Sequence, residues 1–374
     1  MKTIKTYSVI LLAGAAAFAS CDNSLQQDLS DAGVSVMADE QVKYENNVIT
    51  VRKGTPITFS LEGNPDYITF FSGEIGHQYK YRNRQEINPE DVEECNFKFT
   101  VAVPTGGTSA SCKDQLDILY LAEEIDTETE EVTVPAFPGL SKSDYEADSI
   151  LVENTAWKTL VPRTDLPQNV NSSVTRSVSV KEFIGRKLTL AIVLNKDRKK
   201  DMVTNPDTGK PWTNVQSQFA FTNMRIETVW KNGRVTNSYA AAFGFTPLNM
   251  DWRKGFADQM SGKVFVAGDG YGSVTTGTPG LWNLSGAGTG GMTIGATQRG
   301  EEWKYSWLVS DYLNLTECRE TDQGVLVKEI SQNIASYTYT YESVGTYTAT
   351  FLMKNSNYNF TESKTKEFVI NVTE

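Results

Sequence analysis

With 374 residues, 39% of them hydrophobic and 22% charged, the chain is long enough for two or three domains and has the make-up of a globular protein, not of a disordered, collagen-like or multi-span membrane chain. Its net charge of -11 excludes the Lys and Arg excess on which phosphate-backbone binding depends, so nucleic acid is not an expected partner. One histidine, His77, excludes His-pair metal sites and leaves a single candidate base for a Ser-His or Cys-His nucleophile.

Lys2 and Lys5 precede an apolar run from Val9 to Phe18 and a short stretch of small residues up to Cys21. That is the order of a secretory signal, and the run is too short to span a bilayer. Phe18-Ala19-Ser20-Cys21 resembles a bacterial lipobox, with Phe18 where Leu is usual. The resemblance implies that residues 1–20 are a signal peptide and that Cys21 is lipidated, which would hold the mature chain to a membrane through a lipid anchor. Residues 21–40, rich in Asp, Gln, Ser and Ala and poor in aromatics, read as a flexible tether. Cys95, Cys112 and Cys318 then remain, an odd number. No base lies near any of them in sequence, so they read as buried structural thiols, and whether two of them pair is left open.

Short β-branched or aromatic runs punctuated by turn residues follow in chain order: Val48–Val51, Thr55–Leu61, Tyr67–Ser72, Phe97–Val103, Leu116–Ala122, Val174–Val180, Lys187–Leu194 and Phe219–Val229. Val264–Ala267, Trp307–Leu313, Gly324–Ile330, Tyr337–Tyr341, Gly345–Lys354 and Lys364–Val372 complete the set. Almost nothing helical separates them, so the fold class is all-β, built of antiparallel sandwiches. Asn232-Gly233 reads as a type I′ hairpin turn. The glycines between Gly262 and Gly300 include Gly268-Asp269-Gly270-Tyr271-Gly272, which lacks the Lys and the strand-then-helix context of a phosphate loop and reads as exposed turns.

The alternating segment Tyr337–Phe351, with its turn at Gly345, reads as two paired strands, and it resembles the closing half of a PKD-type immunoglobulin-like domain. Gly54–Phe59 and Asp66–Glu74 look like its opening half, so the expectation is one split sandwich, residues 41–85 plus 334–374, interrupted by residues 86–333. Within the insertion, Thr155–Leu160, Ser177–Ile192 and Phe219–Ile226 resemble a galactose-binding-like jelly roll. Together with Asn64–Glu74 and Trp307–Ser310, nearly the whole mature chain is similar to an uncharacterised family of Bacteroides-type surface lipoproteins that sit beside SusC/SusD-like glycan importers. The resemblance implies an outer-membrane protein, lipid-anchored and exposed at the cell surface, that binds a polysaccharide or oligosaccharide without catalysis and has SusC/SusD-like outer-membrane proteins as candidate partners. It carries no family binding or catalytic motif, and fold alone does not name a ligand.

Sugar recognition uses flat aromatic faces flanked by polar groups. Trp212, Trp252, Trp282 and Tyr271 stand beside Pro, charged or Gly-rich neighbours and are the expected ligand contacts, whereas Trp157, Trp230 and Trp307 sit in apolar patterns and read as core. Asp148-Ser149-Ile150 matches the short Asp-Ser/Thr-aliphatic pattern of O-glycosylated proteins in the same bacterial group, with Ser149 as acceptor. The acidic run Glu123–Glu131 lacks a calcium-loop pattern and reads as a solvated loop, with an opportunistic Ca²⁺ site as the alternative; no other cofactor is expected. No catalytic residues are assigned, since the adjacent carboxylate pairs would point to opposite faces of a strand. An adhesin or assembly protein that binds another protein, and an unrecognised glycoside hydrolase, stay open as alternatives.

Overall fold

The structure, a computed structural model, describes residues 28–104, 112–126, 128–196, 217–250, 270–275, 280–296, 305–317, 321–358 and 360–374. The protein is all-β and divides into two units, Met1–Gln85 with Glu320–Glu374, and Glu86–Arg319. The first unit opens with β1 (Gly33–Val36), β2 (Lys43–Glu45), β3 (Val48–Arg52), β4 (Pro56–Glu62) and β5 (Tyr67–Phe71). Strand β1 lies where a tether is expected. Val34 and Leu29 are buried, β1 pairs antiparallel with β4, and the Lys364 ammonium donates to the carbonyls of Leu29, Ser30 and Ala32 at 3.2, 3.3 and 2.8 Å. Buried apolar side chains and one cation therefore order a segment whose composition reads as flexible.

The second unit contributes β6 (Val92–Val103), β7 (Leu116–Ala122), β8 (Glu124–Ile125), β9 (Val132–Val134), the helix α1 (Tyr145–Asn154), β10 (Lys158–Val161), β11 (Ser172–Ser179) and β12 (Leu188–Leu194). It continues with β13 (Phe219–Trp230), β14 (Val235–Tyr239), β15 (Thr246–Asn249), β16 (Trp282–Asn283), β17 (Met292–Ile294) and β18 (Ser306–Val309). One sheet has the order β11-β6-β13-β17-β16 with β14 also on β13, the other β10-β7-β12-β18-β15, and β8-β9 form a small hairpin. Phe97, Phe99, Phe219 and Phe221 of the first sheet share a core with Ile118, Leu190 and Ile192 of the second. Ala191 and Val193 turn the other way, into a cluster with Trp307, Phe137 and Val152 of α1. That two-sided burial is why β12 reads LTLAIVL without alternation. The turn at Asn232-Gly233 is not type I′: Gly233 N donates to Trp230 O at 2.8 Å, Trp230 N to Arg234 O at 2.8 Å, and the central residues Lys231 and Asn232 lack the positive φ of a type I′ turn, which only Gly233 after them has. This is a type I turn closed by a glycine bulge.

The chain returns to the first unit through β19 (Val325–Lys328), β20 (Ser336–Thr340), β21 (Gly345–Ser356) and β22 (Thr361–Thr373). Because β19 pairs with β5, the return comes near residue 320, ahead of the expected 334. The two sheets are β1-β4-β20 and β19-β5-β21-β22-β3-β2. Ile57 and Phe59 of one pack against Phe70, Phe351 and Phe368 of the other, with the Phe59 and Phe351 rings 4.9 Å apart edge-on. Strands β20 and β21, read as a pair from their alternation, belong to different sheets: β20 pairs with β4, β21 with β22 and β5. Alternation fixes which side chains face inward, and two strands facing each other across a core share it as fully as two in one sheet.

Candidate functional site

On β21 the side chains of Phe351 and Met353 go into the core, and Thr346, Thr348 and Thr350 occupy the opposite face. These three threonines line a cavity of about 410 Å³ in the first unit. Glu367 of β22, in register with Thr350, borders it, and Gln78, Tyr79 and Lys80 of the loop after β5 complete its polar lining. The loop leaves β5 through Gly73, whose φ is +83° and where a Cβ would stand 2.5 Å from the Thr348 carbonyl oxygen, so only glycine allows the backbone to lie this close to β21. Tyr79 sits edge-on to Phe71 at 5.3 Å, and the Arg82 guanidinium lies 3.8 Å from its ring centroid and donates to its carbonyl at 2.9 Å. Lys80 and Glu367 are the two charged residues of the lining, so the groove is formally neutral. It combines hydroxyls, an amide, an aromatic ring, one cation and one anion.

Behind the groove, Tyr341 OH donates to the buried Ser72 carbonyl at 2.7 Å, Ser72 Oγ donates to Glu74 at 2.9 Å, and Tyr339 OH donates to the same carboxylate. Burial, then the Glu74 bond, pushes the Tyr339 phenol up to about 12, and burial pushes Tyr341 up as well. Both phenols are therefore fixed proton donors at neutral pH and hold the turn in place. His77 Nδ1 lies 2.7 Å from Gln323 O, an acceptor, so that nitrogen serves as a donor to backbone and not as a base for a nucleophile.

Of the sequence-derived contacts, Trp282 and Tyr271 lie among the described residues, and they belong to different clusters. Trp282 is fully buried in the core beside Phe221 and offers no face to a ligand. Tyr271 is half-buried, edge-on to Tyr145 at 5.7 Å, and donates to Asp148 at 2.7 Å, a structural tie. Ser149 is 0% exposed within α1 and donates to Glu146 O at 2.8 Å, so its hydroxyl is closed to a glycosyltransferase in the folded state. The Asp-Ser-Ile motif lies within α1, which is started by the Asp144 side chain accepting from Ala147 N. Cys21, Trp212, Trp252 and Cys318 lie outside the described residues. Cys95 and Cys112 are free and buried, and burial pushes each thiol up to about 11. In the acidic run, Asp126 accepts from Glu128 N and Thr129 N at 2.8 and 2.9 Å, and among the described residues no group of three or more His, Cys, Asp and Glu side chains is placed to hold a metal.

The groove itself was missed because its floor and its wall are separated by some 270 positions in sequence. The one local signal is the polar aromatic stretch Gln78-Tyr79-Lys80-Tyr81-Arg82 that follows a strand.

Fold and groove together define an all-β protein with a β-sandwich fold and a polar surface cleft. The family model that matches the chain, over residues 34–137, is that of a domain of unknown function, DUF5017. The match covers the start of both units. No curated protein and no solved structure matches the chain.

Proposed function

We propose that this protein is a surface lipoprotein of the bacterial outer membrane, anchored through Cys21, which binds a glycan without transforming it as an accessory to SusC/SusD-like uptake, and that its first unit holds the ligand. The groove supports this reading most directly. Three threonine hydroxyls, Gln78, Lys80 and Glu367 match the donors and acceptors of a sugar chain, Tyr79 supplies an aromatic surface, and the cancelling charges suit a neutral ligand. Affinity electrophoresis against starch, xylan, β-glucan and mucin tests it. Retardation by at least one polysaccharide is expected, weakened at least about tenfold by Tyr79→Ala and little changed between about 0.05 and 0.5 M salt. Retardation by none, or retardation lost only in Trp212→Ala or Trp252→Ala, would overturn the groove assignment. Retention of a Cys21→Ser chain in the membrane fraction would overturn the anchor.

A protein partner is the second reading, favoured by the edge strand β19. Among the described residues it pairs with β5 alone, and Val325, Leu326 and Ile330 on and beside it are 47, 50 and 63% exposed. An open apolar edge is a template for strand addition. Cross-linking on intact cells that captures a partner through a photoreactive residue at 326 would support it, and capture of none would count against it. Among the described residues, the carboxyls with displaced titration do not favour the hydrolase alternative. Asp126, Asp148 and Glu227 are all held below the ordinary carboxylate range, the reverse of what a general acid needs.

A further inference from the structure

The loop Gly73–Arg84 carries Gln78, Tyr79 and Lys80 to the groove, and none of its residues belongs to the hydrophobic core of the first unit. Beyond the Tyr79–Phe71 ring contact and the Tyr339–Glu74 bond, its placement comes from polar bonds that converge on a distant segment, Asp322–Gln323. Gln323 N donates to Gly76 O at 2.9 Å and Asp322 N to Tyr81 O at 3.3 Å. The Asp322 side chain is the centre of the arrangement. It is 3% exposed, and its two oxygens take partners from the two ends of one short span: Oδ2 accepts from Gln78 N at 2.9 Å, and Oδ1 faces Arg84 Nη2 at 3.5 Å. The Arg84 guanidinium in turn lies 3.6 Å from the Tyr81 ring centroid. A buried carboxylate is tolerated only where its partners are in place, so loop and carboxylate fix each other.

We propose that Asp322 is the positioning residue of the groove, holding Gln78–Lys80 against the threonine face of β21 so that the wall is formed before any ligand arrives. This rests on the groove being the ligand site. Asp322 touches no ligand itself. It acts by keeping the seven-residue span from Gln78 to Arg84 in one conformation, which spares a ligand the cost of ordering it.

The test uses the full chain and two substitutions, Asp322→Ala and the shape-preserving Asp322→Asn, so that one remains informative if the other does not fold. Amide hydrogen exchange is the first readout. Exchange at residues 76–84 is expected to speed up at least about tenfold in both variants, with strands β4, β21 and β22 unchanged. Retardation on the polysaccharide that the parent chain binds is the second, expected to weaken at least about tenfold while the midpoint of thermal unfolding stays within a few degrees. Arg84→Lys, which retains a cation, should fall between parent and Asp322→Ala in both readouts. Unchanged exchange at 76–84, or faster exchange with undiminished binding, would overturn the proposal. If the parent chain binds no polysaccharide, the ligand reading fails, and exchange alone still decides whether Asp322 orders the loop.

Discussion

Asp148 is 3% exposed, and among the described residues its charge is met by hydrogen bonds, from Ser141 N at 2.9 Å, Ser141 Oγ at 3.1 Å, Lys142 N at 2.9 Å and Tyr271 OH at 2.7 Å. Burial opposes the charge, the four donors outweigh it, and the carboxyl is held below its ordinary value. A lowered folded-state pKa gives stability that is present above the unfolded value, about 3.9, and is lost as pH falls through the folded value. Tyr271→Phe is therefore expected to lower unfolding free energy by about 1.5–3 kcal/mol at neutral pH, with the difference from the parent shrinking below about pH 4. Urea titrations at pH 7 and pH 3 measure both. The thiols give a second residue-scale test. In a Cys21→Ser, Cys318→Ser chain, Cys95 and Cys112, buried and with thiols near 11, should stay unlabelled by a thiol reagent at pH 8 until denaturant is added. Native labelling within minutes would contradict the burial.

Elements were legible where one strand carries its own pattern and opaque where the pattern is shared. Leu116–Ala122 is read to the residue because an apolar run bounded by polar residues has few other folds available. Strand β1 is hidden because it is only four residues long and its partners, β4 and Lys364, come much later. Helix α1 is hidden because a ten-residue helix against one sheet needs little more than Val152 on its inner face. The groove is hidden for a related reason: the threonines of β21 look like ordinary solvent-facing residues until the loop from the other end of the chain is laid beside them. At this scale Gly73 is the element-defining residue. Gly73→Ala forces an L residue into positive φ and into the Thr348 backbone, and we expect a loss of about 2–4 kcal/mol, read as a lower urea midpoint, with groove binding lost even where the chain still folds. A loss below about 0.5 kcal/mol would show that the loop can retreat from β21.

For the whole molecule, the insertion of residues 86–319 is closed at both of its roots. In the first unit Arg84 and Asp322 meet at 3.5 Å, and in the second Ile87 N donates to Thr316 O at 2.8 Å beside the Glu86–Glu317 bridge. Each unit has its own buried cluster, so residues 86–319 expressed alone, and residues 28–85 joined by a short Gly-Ser linker to residues 320–374, should each fold. Dispersed amide spectra and a cooperative thermal transition for each piece are the expected result; a collapsed spectrum for either would show that its core depends on the other.

Lys364 gives the first unit a mechanical property. The three N–H donors of one ammonium meet the three carbonyls of Leu29, Ser30 and Ala32, ahead of β1 in the chain, and β22, which carries Lys364, is zipped to β21 from Gly345–Val372 to Ser356–Thr361. Tension applied at the N-terminus is thus handed to the last strand of the chain and to β4, and its path does not run through residues 86–319. Pulled from that end, the insertion would ride as unloaded cargo, and Lys364→Met should lower the force at which the first segment peels away.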